Sequence, residues 1–179
     1  MEHLGINVNV KNVPELDAGY IPLHKFNAAF LEGAEKPLGI AVERAGGEVA
    51  VMRTFIHGTP EFEAADSYYA DRMVKSMLWL YGGWKVYISG DRDIYERIRA
   101  AYAPDGSRAF DENFMSGVYE RPFEVVFCDE LPAEKSNPQA IGRHLGGCRI
   151  GFDAGGSDRK VSAVIDGESV FSEEVVWFP

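Results

Sequence analysis

Cysteine is nearly absent from the 179 residues: there are two, Cys128 and Cys148. Two thiols cannot build a disulfide framework. The chain opens Met1-Glu2-His3 without a basic stretch leading into an apolar core, so both are expected to stay reduced in the cytoplasm. No apolar run approaches the roughly twenty residues that cross a bilayer, which removes the membrane as an expected partner. Positive charge is also scarce, with 18 Lys and Arg against 28 Asp and Glu and a net charge of -10. Nucleic-acid surfaces carry a basic stripe that displaces counterions from phosphates. Here the bases sit singly among acids, as in Asp91-Arg92-Asp93, so nucleic acid is not an expected partner. What remains is a globular composition, 46% hydrophobic and 26% charged.

Residues 1–21 read as irregular. Pro22 then stands at a first helical position, and Leu23, Phe26, Ala29 and Phe30 recur at helical spacing up to Gly33. Leu38 to Glu43 and Glu48 to Ile56 read as two strands, joined by Ala45-Gly46-Gly47, which supplies the positive φ of a hairpin turn. Thr59-Pro60-Glu61 predicts a helix start with Thr59 as the capping hydroxyl. The helix would bury Phe62, Ala65, Tyr69, Met73, Met77 and Leu80 and end at Gly82-Gly83. Trp84 to Ser89 predicts a strand, and Asp91 to Tyr102 a helix with Ile94, Ile98 and Ala101 inward. After the turn Pro104-Asp105-Gly106 comes a loop, then a strand over Phe123 to Cys128. Residues 129–147 carry prolines and glycines with little periodicity and read as a linker after an α/β N-terminal domain, 1–128.

Residues 148–179 carry the chemistry. Cys148 to Asp153, Lys160 to Ile165 and Glu168 to Trp177 read as three strands of a meander, with Ala154-Gly155-Gly156-Ser157 in the first turn and Asp166-Gly167 in the second. Two consecutive glycines let backbone amides approach an anion and form a nest. The Ser157 hydroxyl can donate to a phosphate oxygen, and Lys160 can add a positive charge. Asp153, expected at the end of a buried strand, is placed to hold a hydrated Mg²⁺, which keeps most of its waters and takes one or two carboxylates. Taken alone, such a Gly-Gly is more often a simple turn. The combination of an acid after an apolar strand, Gly-Gly-Ser, a lysine and an Asp-Gly turn favours a polyphosphate ligand.

This pattern resembles the first phosphate motif of the ROK family, which groups repressors, open reading frames and sugar kinases of the actin-like (ribonuclease H-like) ATPase fold. The family pattern is an apolar strand, Asp-x-Gly-Gly-Thr/Ser-x-x-Lys and two further strands, matched here over about 148–179. Ala154 stands where an aliphatic residue is more usual, and Asp158 where an uncharged or basic one is common. The resemblance implies that Asp153 is the magnesium-linked acid, and Gly155, Gly156 and Ser157 the phosphate cradle. It also implies ATP and Mg as cofactors and a sugar as substrate of a longer parent protein. The family's catalytic aspartate and its other motifs lie downstream of this loop, so the chain is expected to be an inactive N-terminal fragment. The alternative is a sugar-responsive transcriptional regulator, similar to the N-acetylglucosamine repressor, with a decayed kinase site. Gly142 to Cys148 brings His144 near Cys148 but precedes the first strand, and it reads as loop, not a metal site.

No winged helix-turn-helix pattern opens the chain; its first 140 residues resemble an extension found ahead of the kinase-like part in some family members. Strand, glycine turn, strand, helix and strand over 38–128 also mimic the opening of an actin-like domain, with Glu43 where Asp153 falls. Two readings stand: a degenerate relative of that fold, which requires strand 84–89 parallel to strand 38–43, or an unrelated α/β domain. His57 before the Thr59 helix could meet an anion, although such a histidine is more often partly buried. Trp79, Trp84, Tyr68 and Tyr69 read mainly as core. The apolar end of the third strand, Val175-Val176-Trp177-Phe178, is expected to dock on 38–128 or on the same hairpin of a second copy, as a homodimer.

Overall fold

The structure is a computed structural model, and it describes residues 1–138, 142 and 146–177. The chain is mixed α/β and divides into two units, Met1–Asn137 and Pro138–Pro179.

The first unit begins with two short paired strands, β1 (Glu2–His3) and β2 (Ile6–Asn7), where an irregular segment was expected. Ile6 and Val8 anchor this segment in the core. Helix α1 (Leu23–Leu31) buries Phe26 and Phe30, one helical turn apart. Strands β3 (Lys36–Glu43) and β4 (Val49–Ile56) form the expected hairpin, with Gly46 and Gly47 at positive φ in its turn. Helix α2 (Glu63–Tyr81), strand β5 (Lys85–Ser89), helices α3 (Arg92–Ala101) and α4 (Ala109–Tyr119), and strand β6 (Glu124–Phe127) complete the unit. The sheet order is β4-β3-β5-β6, with β3 antiparallel to both β4 and β5, and β5 parallel to β6.

That pairing corrects one expectation. Val42 opposes Val86 and Gly39 opposes Ser89 in an antiparallel register. A degenerate actin-like unit over 38–128 needs these strands parallel, so that reading falls.

One sheet face is the core. Leu38, Ile40 and Val42 of β3 and Val86 and Ile88 of β5 cluster with Phe26 and Phe30 of α1, Tyr69, Val74 and Leu78 of α2, Ile94 and Ile98 of α3, and Met115 of α4. Each such large side chain contributes about 1.5–3 kcal/mol by leaving water. The buried side of α2 runs through Ala65, Tyr69, Ala70, Val74, Met77 and Leu78. Leu80, expected inward, is exposed, because the buried stripe runs through Ala70, Val74, Met77 and Leu78 and position 80 lies off it. Gly82 ends the helix at φ 71, donating its N–H to Leu78.

Two further differences concern helix starts. Thr59 makes no side-chain cap; Pro60–Phe62 form a 3-10 turn instead. Buried Asp66 satisfies the amides upstream, accepting from the N–H groups of His57 at 2.9 Å and Gly58 at 2.7 Å. Helix α4 occupies the segment expected as loop. Asp91 does cap α3, accepting from the Ile94 amide at 2.8 Å.

Residues 129–137, assigned to the linker from sequence, run with the first unit over the second sheet face. Lys135 bridges to Val49, and the Asn137 amide donates to Glu48.

The second unit is an antiparallel meander of β7 (Cys148–Ala154), β8 (Asp158–Ile165) and β9 (Glu168–Val176). Asp166 and Gly167, at φ 49 and 89, form the tight second turn that matches strand twist. Val170 is the extra residue at a bulge opposite Ala163 and Val164. No helix among the described residues is long and apolar enough to cross a membrane.

Candidate functional site

Cross-strand register places the expected phosphate-site residues. Asp153 opposes Lys160, and Lys160 opposes Glu174, so the three side chains share one sheet face in one row. Lys160 Nζ lies 3.5 Å from Asp158 Oδ2 and 3.7 Å from Glu174 Oε1. Asp158 first, then Glu174, raise the Lys160 pKa above its ordinary value and keep it protonated. Asp153 is not at the end of a buried strand: β7 is exposed along its whole length.

Between Ala154 and Asp158, Gly155, Gly156 and Ser157 form the turn. Neither glycine has positive φ, so their value is their lack of a side chain. A Cβ at Gly155 would lie 2.8 Å from Asp158 Oδ1 and 3.0 Å from its carbonyl oxygen, whereas Gly156 faces open space. Trp177 fastens the turn from the far strand: its indole Nε1 donates to the Gly155 carbonyl at 3.0 Å, and its amide to the Ser157 carbonyl at 3.0 Å. Both carbonyls are thus engaged. The amides of Gly155, Gly156 and Ser157 donate to no acceptor among the described residues. With Gly156 and Ser157 exposed and Gly155 half-buried, these donors are open to solvent.

Asp153 is exposed and stands opposite Lys160 across the strands. No cluster of three or more His, Cys, Asp or Glu suited to direct metal coordination occurs among the described residues. Arg143, His144 and Leu145 lie outside the described residues, as does Phe178 of the apolar C-terminal run. Of that run, Val175 is half-buried and Val176 is exposed.

The remaining candidates are structural. His57 Nε2 lies 2.8 Å from the Phe30 carbonyl, and its ring stacks on Phe62 at 4.1 Å, inside the first unit's packing. Tyr69 is core and hydrogen-bonds Thr54 at 2.7 Å. Trp79 departs from the core expectation: it is exposed, stacks on Phe114, and donates to Asp111 at 3.1 Å. Cys128 and Cys148 are free thiols, and burial followed by Asp129 pushes the Cys128 pKa up.

Two cavities lie in the first unit. One, of about 260 Å³, sits at the starts of α2 and α3, where Lys36 pairs with Asp91 at 2.5 Å and Arg97 with Glu63. The other, of about 490 Å³, lies on the second sheet face beside Gly39. Sequence reading gave no sign of either, because each joins residues far apart in the chain. No family model matches the chain, and no curated protein matches it.

Proposed function

We propose that residues 148–177 form the first phosphate hairpin of an actin-like, ROK-type sugar kinase, a protein that transfers the γ-phosphoryl of ATP to a sugar hydroxyl. The observation that carries this reading is the turn itself. Gly155, Gly156 and Ser157 present unengaged amides, with their flanking carbonyls tied to Trp177, beside an Asp153–Lys160 cross-strand pair. Backbone donors held open in a fixed turn suit a phosphate, and Ser157 adds a hydroxyl donor. Lys160 contributes positive charge, and Asp153 accepts from the waters of a hydrated cation. Magnesium, when bound with ATP, neutralises charge on the phosphates during transfer. In the family the sugar-deprotonating aspartate belongs to a part of the fold other than this hairpin, so the hairpin's role in this reading is to hold phosphate. The exposed apolar side chains Ile150, Phe152 and Phe171 supply the face that packs on the rest of the actin-like domain or on a second copy.

One observation favours the regulator. The Asp158 carboxylate lies beside Gly155 and places a negative charge against any phosphate there. A sugar-responsive regulator with a decayed kinase site accommodates that charge without penalty.

Phosphorus NMR of Mg·ATP with the chain, its Asp158→Asn variant and its Gly156→Val variant tests both. The kinase reading expects broadening of the β- and γ-phosphate lines by the parent chain and by D158N, lost in G156V. Broadening by D158N alone supports the regulator. Broadening by none of the three, or equally by G156V, overturns the phosphate hairpin.

A further inference from the structure

The 490 Å³ cavity of the first unit is within the roughly 300–1,000 Å³ range of small-molecule sites. Its floor is a row across the sheet: Arg53 of β4 opposes Gly39 of β3, which opposes Ser89 of β5. Directly opposed residues share a face, so all three belong to the side away from the helices. Gly39 is required here. A Cβ on it would lie 2.3 Å from Ser89 Oγ and 2.7 Å from Leu131 Cδ1, so the bare backbone lets Leu131 close down as the cavity's roof.

Arg53 stands on outer strand β4, whereas Asp129 and Glu130 follow the opposite outer strand β6. After Glu130 the chain crosses back over the sheet, so that Leu131 lies against Gly39, one strand from Arg53. Among the described residues, the side chains of Arg53, Asp129 and Glu130 make no hydrogen bond or ion pair with one another or with any other group. Arg53, Asp129 and Glu130 thus bring both signs of charge, each without a partner, to the lining of one space. Between them the lining is apolar: Phe55, which is 47% exposed, with Pro37 and Leu131.

We propose that this cavity binds a small apolar zwitterion, a free α-amino acid or a dipeptide. Its carboxylate pairs with Arg53, its ammonium with Asp129 and Glu130, and its side chain lies against Phe55 and Leu131. A planar guanidinium matches a carboxylate in a two-bond fork, and acids accept readily from an ammonium. A purely anionic ligand would meet the two acids, and a purely cationic one would meet Arg53. Only a molecule carrying both charges complements both signs. The site lies wholly within the first unit and does not depend on the phosphate-hairpin reading.

Isothermal titration of the whole chain with L-leucine and with leucyl-leucine, each beside its N-acetylated and C-amidated forms, tests the proposal and separates the two sources. Binding of one zwitterion is expected, at least about tenfold weaker for either capped form, since each loses a charge-assisted pair. Arg53→Ala is an exposed strand position without a partner, so the variant keeps its fold. It should lower affinity for the zwitterion about tenfold and leave the C-amidated form unchanged. No binding of either zwitterion at about 10 mM, which is weaker than ordinary small-ligand affinity, overturns the site. So does equal binding of the capped forms, or an unaffected R53A variant.

Discussion

The indole nitrogen of Trp177 donates to the carbonyl of Gly155 at 3.0 Å, tying the end of β9 to the turn between β7 and β8. The Trp177 amide completes the clasp on Ser157. The turn is therefore shaped by a residue 22 positions beyond Gly155, not only by its glycines. Replacing Trp177 by Phe removes one hydrogen bond, worth about 1 kcal/mol. Heteronuclear NOE values at Gly155, Gly156 and Ser157 should fall, while those at Asp166 and Gly167 hold. Unchanged values at the first turn would show that the indole does not fasten it.

Asp111, 2% exposed, accepts from Lys75 at 3.0 Å and Trp79 at 3.1 Å, with Arg108 Nη1 at 3.8 Å. Asp111→Ala leaves Lys75 and Trp79, both partly exposed, without their acceptor and should cost about 1–2 kcal/mol in urea unfolding. Asp111→Asn, which keeps one carbonyl acceptor, should cost less. Equal stability of Asp111→Ala and the parent would refute the bracket's role in holding α2 to α4.

The Asp91–Lys36 pair sets an acid limit. Burial favours the neutral carboxyl, but Lys36, the Ile94 amide and the Asp93 amide outweigh it and hold the pKa below its ordinary 3.8. A depressed folded pKa means that the pair's contribution is complete above about pH 4 and lost as pH falls through the folded value. Urea midpoints should drop on acidification below pH 4, and the Lys36→Met variant should show a shallower drop over that interval. Parallel curves would contradict the assignment.

Gly83, at φ 154, passes so close to β3 that a Cβ would lie 2.2 Å from Val42 Cγ1 and 2.7 Å from the Glu43 carbonyl. Gly83→Ala should destabilise by about 2 kcal/mol through overpacking. Gly117→Ala, which faces open space within α4, should be neutral or mildly stabilising. Thermal unfolding of the two variants checks the contrast.

Local signals carried much of the fold. Pro22 and the Phe26/Phe30 spacing placed α1, Gly82-Gly83 the end of α2, and Asp-Gly the last turn, because each residue's own backbone preference decides the local outcome. Helix α4 did carry a signal: Phe110, Phe114 and Val118 recur every four residues. What the spacing does not give is the buried side, which holds Asp111 and Met115 while that stripe is exposed. Thr59 makes no side-chain cap because the Phe62 amide its hydroxyl would have taken donates instead to the Thr59 carbonyl at 3.0 Å, closing the 3-10 turn. Strand direction was beyond reach too, since β3 and β5 read alike in either sense. At the hairpin, the residue types of Asp153, Gly155, Gly156, Ser157 and Lys160 were visible, but the Trp177 clasp and the Asp158 carboxylate beside Gly155 depend on contacts across strands.

The amides of Gly155, Gly156 and Ser157 are the centre of the functional account, and a nitrogen–proton correlation spectrum reads them one by one. Titrating the labelled chain with magnesium tripolyphosphate should move those three cross-peaks, in a saturable way, while the amides around Thr59 and Asp91 stay in place. Stationary turn peaks, or movement confined to the helix starts of the first unit, would contradict a phosphate-binding hairpin.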